Sequence, residues 1–201
     1  MNFEGTIHTI DQITDQETFE ILPKELQELY RDIPGAIAYG GGFTLRGCVT
    51  TPEWISLRDA WQGEHAFHTI YEAVLPADIP FGSDCMGDQF IYREGTVWYL
   101  ITETGELEDS ELSLDEFISL LLEDPDEMLS LEPLQFFMEN GNELEPGQLL
   151  NVFPPFSFEL NEGESYQFKA VPYNDQLAFT EHIYLQSQDM SRDGEITLMN
   201  I

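Results

Sequence analysis

A chain with 39 Asp and Glu against 7 Lys and Arg, a formal net charge of -32, folds only if its carboxylates stay in water while other residues build the core. Self-repulsion of that size opposes compaction, and strong net charge often accompanies disorder. Here the apolar content outweighs it. Of the 201 residues, 42% are hydrophobic and 12% aromatic, with 14 Phe, 8 Tyr and 3 Trp spread along the chain. The expectation is a folded body with an acidic skin: one domain with elaborations.

The same charge restricts partners. A folded chain of 23.0 kDa exposes about 9,600 Å², which leaves one net negative charge per ~300 Å². Nucleic acid and anionic membrane surfaces are repelled. A cationic partner is attracted over about a Debye length, ~8 Å at physiological salt. Solubility, or adaptation to a salty interior, explains the charge equally well.

Cys48 and Cys85 lie far apart and form no Cys-x-x-Cys, which favours reduced thiols over a disulfide framework. The start, Met1-Asn2-Phe3-Glu4-Gly5, has neither the basic nor the apolar segment of a signal peptide. The strongest apolar run, Phe117 to Leu122, is far shorter than the ~20 residues of a membrane helix. A cytoplasmic location is expected.

Local patterns set out the elements. Thr6 to Ile10 begins as a strand. Leu22 to Tyr30 reads as a helix, with Pro23 suited to its first turn and Leu26, Leu29 and Tyr30 on one face. Ala36 to Cys48 reads as a strand pair around Gly40-Gly41-Gly42. Those glycines lack the spacing of a phosphate-binding loop. Glu53 to Val74 is predicted helical, its apolar stripe running from Trp54, Ile55, Leu57 and Trp61 to Phe67, Ile70, Tyr71 and Val74. Gln89–Tyr92 and Thr96–Ile101 form a hairpin across Arg93-Glu94-Gly95.

Thr102 to Leu112 reads as an acidic loop carrying Glu103, Glu106, Glu108, Asp109 and Glu111. Ser113-Leu114-Asp115-Glu116 is a capping box, and Phe117, Leu120 and Leu121 are the expected buried face of its helix. Asp124-Pro125 ends that helix. Prolines and glycines then recur. Tyr166 to Val171 is a predicted strand, Asn174 to Asp189 a helix with Leu177, Ile183 and Tyr184 inward, and Glu195 to Ile201 a last strand. No repeat or low-complexity linker is present. Residues 1–124 and 125–201 divide by texture, the second part packing on the first.

Chemical motifs are sparse. With so many acids, a catalytic carboxylate pair cannot be chosen from spacing. His65, His68 and Glu72 share a face of the predicted helix and offer a zinc reading, against the plainer one of a polar stripe. Asp189 to Asn200 follows the first half of a calcium loop, then lacks the closing bidentate Glu. No nucleophile motif appears, and Cys48, near Arg46, reads as core.

Three stretches together carry a family likeness. They are the turn Ile79-Pro80-Phe81-Gly82-Ser83-Asp84 with Gly87-Asp88-Gln89-Phe90, the aromatic strand Gly95-Thr96-Val97-Trp98-Tyr99, and the acidic segment leading to the helix at Ser113. With Leu22-Pro23 and the glycines at 40–42, the segment 17–124 resembles the SUKH superfamily of cell-wall regulators and bacterial toxin-immunity proteins. The resemblance implies an α+β fold, mainly an antiparallel sheet with flanking helices, to which residues 125–201 add an α+β elaboration. It implies no catalytic residues and no cofactor. Its bacterial members look like antidotes to toxins delivered by neighbouring cells.

A carboxylate patch fills the basic cleft of a nuclease by mimicking nucleic acid. The expected function is therefore a cytoplasmic, non-catalytic protein-binding module. Its expected partner is a toxin domain with a basic surface. Contact is expected through Glu103, Glu106, Glu108, Asp109 and Glu111 and the helix-end acids Glu123, Asp124, Asp126 and Glu127. A regulatory or scaffolding role of the same fold, and a metal-dependent hydrolase, are the alternatives.

Overall fold

The computed structural model describes residues 3–158, 160 and 163–193, the last five by backbone alone. In chain order the elements are β1 (His8–Thr9), α1 (Gln16–Glu20), α2 (Lys24–Asp32), β2 (Ala36–Ala38), β3 (Phe43–Leu45), α3 (Leu57–Gln62) and α4 (Phe67–Ile70). There follow β4 (Ile79–Asp84), β5 (Gln89–Arg93), β6 (Thr96–Ile101), β7 (Glu106–Ser113), α5 (Leu114–Glu123), α6 (Pro125–Leu129) and α7 (Glu132–Glu139). The last are β8 (Gln148–Phe153), β9 (Gln167–Pro172) and α8 (Tyr173–Asp193).

The fold is α+β. Strands β1 to β7 form one sheet in sequence order, each antiparallel to the next, and β8 and β9 form a second, two-stranded sheet. The β5–β6 hairpin turns on Glu94 and Gly95, with φ of 50° and 99°. Positive φ at both central residues suits the twist of the flanking strands, and Gly95 adopts it without strain. Side chains then alternate: Phe90, Tyr92, Val97 and Tyr99 face the larger core, while Ile91, Trp98 and Leu100 face a smaller one.

The larger core lies under α2 and α5. Leu26, Leu29 and Tyr30 of α2 meet Phe117, Ile118 and Leu121 of α5 there. Leu129, Leu134, Phe137 and Leu150 join the same cluster, so residues beyond 124 pack on the sheet as part of one core. The capping box at Ser113 forms, with Ser113 accepting from the Glu116 amide and the Glu116 carboxylate accepting from the Ser113 amide. The inward face of α5 is Leu114, Phe117, Ile118 and Leu121, an i, i+3, i+4, i+7 stripe. Leu120 falls off that stripe and is 39% exposed, contrary to the sequence expectation.

Two further expectations give way. The helix over 53–74 is broken into a short 3-10 turn (Glu53–Ile55), α3 and α4. Ser56 caps α3, and the chain leaves it at Gly63, where a Cβ would sit 2.4 Å from the Asp59 carbonyl oxygen. The apolar stripe survives because Ile55, Leu57, Trp61, Phe67, Tyr71 and Val74 still reach the interior. The acidic stretch expected as a loop is largely a strand, β7, paired with β6. Its acids have low strand propensity, but Leu107 opposite Leu100 and Leu112 against the main core override it. The strand expected over 195–201 lies outside the described residues.

Candidate interaction surface

Strand β7 is an edge of the large sheet. Its residues Glu106, Glu108, Asp109 and Glu111 are all exposed. A bulge opens against β6 between Thr96 and Trp98. Asp109 shapes it by accepting the Glu111 amide at 2.8 Å, and Ser110 donates its hydroxyl to the Val97 carbonyl at 2.6 Å. Glu111 takes φ of 60° there. Charge and a bulge both keep an open edge from pairing with another chain. They also leave a row of carboxylates facing solvent.

Glu123, Asp124, Asp126 and Glu127 are exposed at the junction of α5 and α6. The helix leaves the end of β7 and reaches Tyr39, between β2 and β3, whose hydroxyl donates to the Leu121 carbonyl at 2.9 Å, so this second acidic cluster lies across the sheet from the first. Asp124 caps α6 by accepting the Glu127 amide at 3.2 Å, and Asp126 accepts from Gln135 at 2.7 Å. Glu103 does not belong with these. Its carboxylate accepts the Ser157 amide at 3.0 Å, and burial holds its pKa above the usual carboxylate range. It sits inward, so eight of the nine sequence-chosen acids remain available to a partner.

A wider signal was legible but unused. Residues 94–168 contain no Lys or Arg, yet hold 19 of the 39 acids. This stretch supplies β6, β7, α5, α6, α7 and β8, of which β7 carries four exposed acids along the sheet edge. Elsewhere Lys24, Arg31 and Lys169 are exposed, and three arginines are engaged by the fold. Arg46 is fully buried; it donates to the Pro80 carbonyl at 2.8 Å, to Gln89 at 2.6 Å and to the Tyr173 hydroxyl at 2.8 Å. Arg58 pairs with Asp15 and Glu17, and Arg93 with Asp78.

A groove of about 500 Å³ lies between α3–α4 and α8; exposed Glu53, Asp59 and Glu64 line it with buried Phe67 and Tyr71. Carboxylates beside aromatic faces suit a cation and repel an anion. His65 lines this groove without His68 or Glu72. The continuous helix that would align those three is absent, and no three His, Cys, Asp or Glu side chains gather for a metal among the described residues. Asp189 to Asp193 continues α8, so the first five positions of the calcium-like loop are helical; the rest lies outside the described residues.

Cys48 and Cys85 are buried and unpaired with each other. Burial pushes the Cys48 thiol up to about 12 and raises Cys85 as well, so neither forms a thiolate readily. Sequence spacing could not choose a carboxylate pair; the structure brings one together, Asp84 with Asp88. Asp84 is 1% exposed. Its Oδ1 accepts the amides of Met86, Gly87 and Asp88, each at 2.9 Å. Asp88 Oδ1 accepts from the Thr102 amide at 2.7 Å and hydroxyl at 2.8 Å. The Tyr99 hydroxyl lies 3.1 Å from an oxygen of each carboxylate.

No helix among the described residues is long and apolar enough to cross a membrane. Comparison with family models, with curated proteins and with solved structures found no match to this chain.

Proposed function

We propose that this chain is a non-catalytic binding module of SUKH-like type. It engages a protein with a basic surface through the β7 edge and the α5–α6 junction. One observation carries the reading: Glu106, Glu108, Asp109 and Glu111 are all exposed along one open edge of the sheet, within a stretch, 94–168, that holds 19 acids and no Lys or Arg. A field of one sign concentrated on one face steers an oppositely charged partner and speeds its encounter. A toxin domain with a phosphate-binding cleft has the matching chemistry, which makes an immunity protein the specific form of the proposal. The cytoplasm, where such a toxin acts, is the proposed location.

The test is affinity capture from the source cells, followed by kinetics with the purified partner. The association rate should fall steeply as salt rises and the Debye length shrinks from ~10 Å at 0.1 M to ~3 Å at 1 M. It should fall equally when Glu106, Glu108, Asp109 and Glu111 are neutralised. An association rate insensitive to both salt and these substitutions would remove the charge-steering reading.

A further inference from the structure

The contacts at Tyr99 do not balance if both neighbouring carboxylates are ionised. A phenol hydroxyl carries one proton, yet its oxygen is 3.1 Å from Asp84 Oδ2 and 3.1 Å from Asp88 Oδ2. With two carboxylate ions, one of these contacts sets lone pairs against lone pairs, or both share one weakened hydrogen. A proton on either carboxyl resolves it. The chain then runs carboxylic acid to tyrosine oxygen, and tyrosine hydroxyl to carboxylate, with every contact a donor–acceptor pair.

Buried Arg46 donates to Gln89 and to the Gly82 carbonyl rather than to either carboxyl. Asp84 and Asp88 form no ion pair among the described residues. Facing them are Tyr99 and Thr102 from the end of β6, the buried Cys85 thiol, and the half-buried Glu103. Tyr71 lies on the far side, Glu132 of α7 lines the same cleft as Asp88, and α8 brings neutral Gln176 and Thr180. Burial raises both carboxyls, and the charge on Asp88 raises Asp84 further.

The turn this pair holds is also a joint. The Leu150 amide of β8 donates to the Cys85 carbonyl at 2.7 Å. Gln176 of α8 donates to the Met86 carbonyl at 2.9 Å and accepts from Asn151 at 2.9 Å. Asp84 clamps the amides of the same turn. The C-terminal layer is thus attached to the large sheet through the peptide segment that the two carboxyls fix.

We propose that Asp84 and Asp88 hold one shared proton through Tyr99 in the folded protein at neutral pH, and that this proton latches β8 and α8 to the sheet. The sign follows from linkage. The folded state keeps a proton that the unfolded chain has released above the ordinary carboxylate range. The contribution is full at acid pH and is lost as pH rises towards the pair's own titration. Over that interval the unfolding constant of the native sequence should rise tenfold more per pH unit than that of Asp84→Asn. The amide preserves the acceptor for the three turn amides and supplies the donor that the proton otherwise provides. Asp88→Asn should act the same way, and serves if the first variant does not fold.

Two measurements on the full chain decide it. The side-chain carboxyl carbons of Asp84 and Asp88, followed by NMR, should show one proton retained through neutral pH. Ionisation of both within the ordinary aspartate range would overturn the proposal. Hydrogen-exchange protection at the Leu150 amide should fall as pH rises over that interval, by at least tenfold in total, and level off once the proton has left; it should stay unchanged over the same range in Asp84→Asn. Equal loss in both proteins would overturn the latch while leaving the shared proton to the first measurement.

Discussion

Asp15 is 4% exposed and Asp84 is 1% exposed, and each closes a turn of backbone with its carboxylate, but their neighbours differ in sign. Asp15 caps α1, accepting the Thr18 amide at 3.2 Å, and meets the Arg58 guanidinium through both its oxygens. Burial works against its charge, and the bonds from Arg58 and Thr18 outweigh burial, so its pKa is lowered. Asp84 has three amides but faces another carboxylate, and burial raises it. Asp78, 3% exposed, follows Asp15 and is paired with Arg93. With 7 cations for 39 acids such partners are scarce, and Asp84 goes inside without one.

The largest expected loss of stability breaks the Asp15 side of this contrast. Asp15→Ala strands Arg58 and uncaps α1, and should cost about 2–3 kcal/mol at neutral pH, towards the low end for a buried pair because Arg58 reaches solvent. A lowered folded pKa gives stability that is present above the unfolded value of about 3.9 and lost as pH falls through the folded one. Urea titrations of Asp15→Ala and the native sequence should therefore converge in acid. A gap of constant size down to low pH would show that Asp15 acts by packing alone.

Asp84→Asn sharpens the contrast with the opposite sign. It should leave acid stability nearly unchanged and make the protein more stable than the native sequence by about 4 kcal/mol at neutral pH, tenfold in the unfolding constant for each of the ~3 pH units above the ordinary carboxylate value, since a neutral amide needs no proton from solution. Destabilisation of the variant at neutral pH would mean that the carboxylate form is the one the fold requires.

Ser113→Ala tests a site where an exposed carboxylate serves the fold locally. Ser113 and Glu116 satisfy two end amides of α5, and hydrogen bonds from the Ser113 hydroxyl and amide lower the Glu116 pKa. The expected cost is about 1 kcal/mol by thermal or urea unfolding. A loss below a few tenths would show that the tertiary packing of Phe117, Ile118 and Leu121 carries the helix without its cap.

These effects follow how much of the molecule was legible. The hairpin 89–101 and the capping box were readable because turn and cap residues act within four positions. The stripe of Leu26, Leu29 and Tyr30 was readable because one face of one helix is a local pattern. The break at Gly63 was not, since the breaking contact lies with Asp59 in a specific helical geometry. Strand β7 was not, because pairing with β6 overrides the propensity of Glu and Asp. The acid edge itself was visible as composition, and only Glu103 was misplaced, turned inward by Ser157 from 54 residues along the chain. Asp84 and Asp88 read as part of a turn motif; that Tyr99 would join them needed the register of β5 against β6.

The smallest expected effect on stability belongs to the β7 edge, and it separates carboxylates that hold the fold from those free for a partner. Glu106→Gln, Glu108→Gln, Asp109→Asn and Glu111→Gln together keep the Asp109 acceptor that shapes the bulge. They remove four like charges from one strand. Stability should change by no more than about 0.5 kcal/mol, towards greater stability if at all, because exposed acids on an edge repel one another and pair with nothing. Removing the charge also removes one guard of the open edge, so self-association should rise with concentration by analytical ultracentrifugation. A large loss of stability would place these residues with Asp84, as parts of the fold. Unchanged stability with slowed association to a basic partner would place them where the cation-free stretch 94–168 points, at the face the molecule presents.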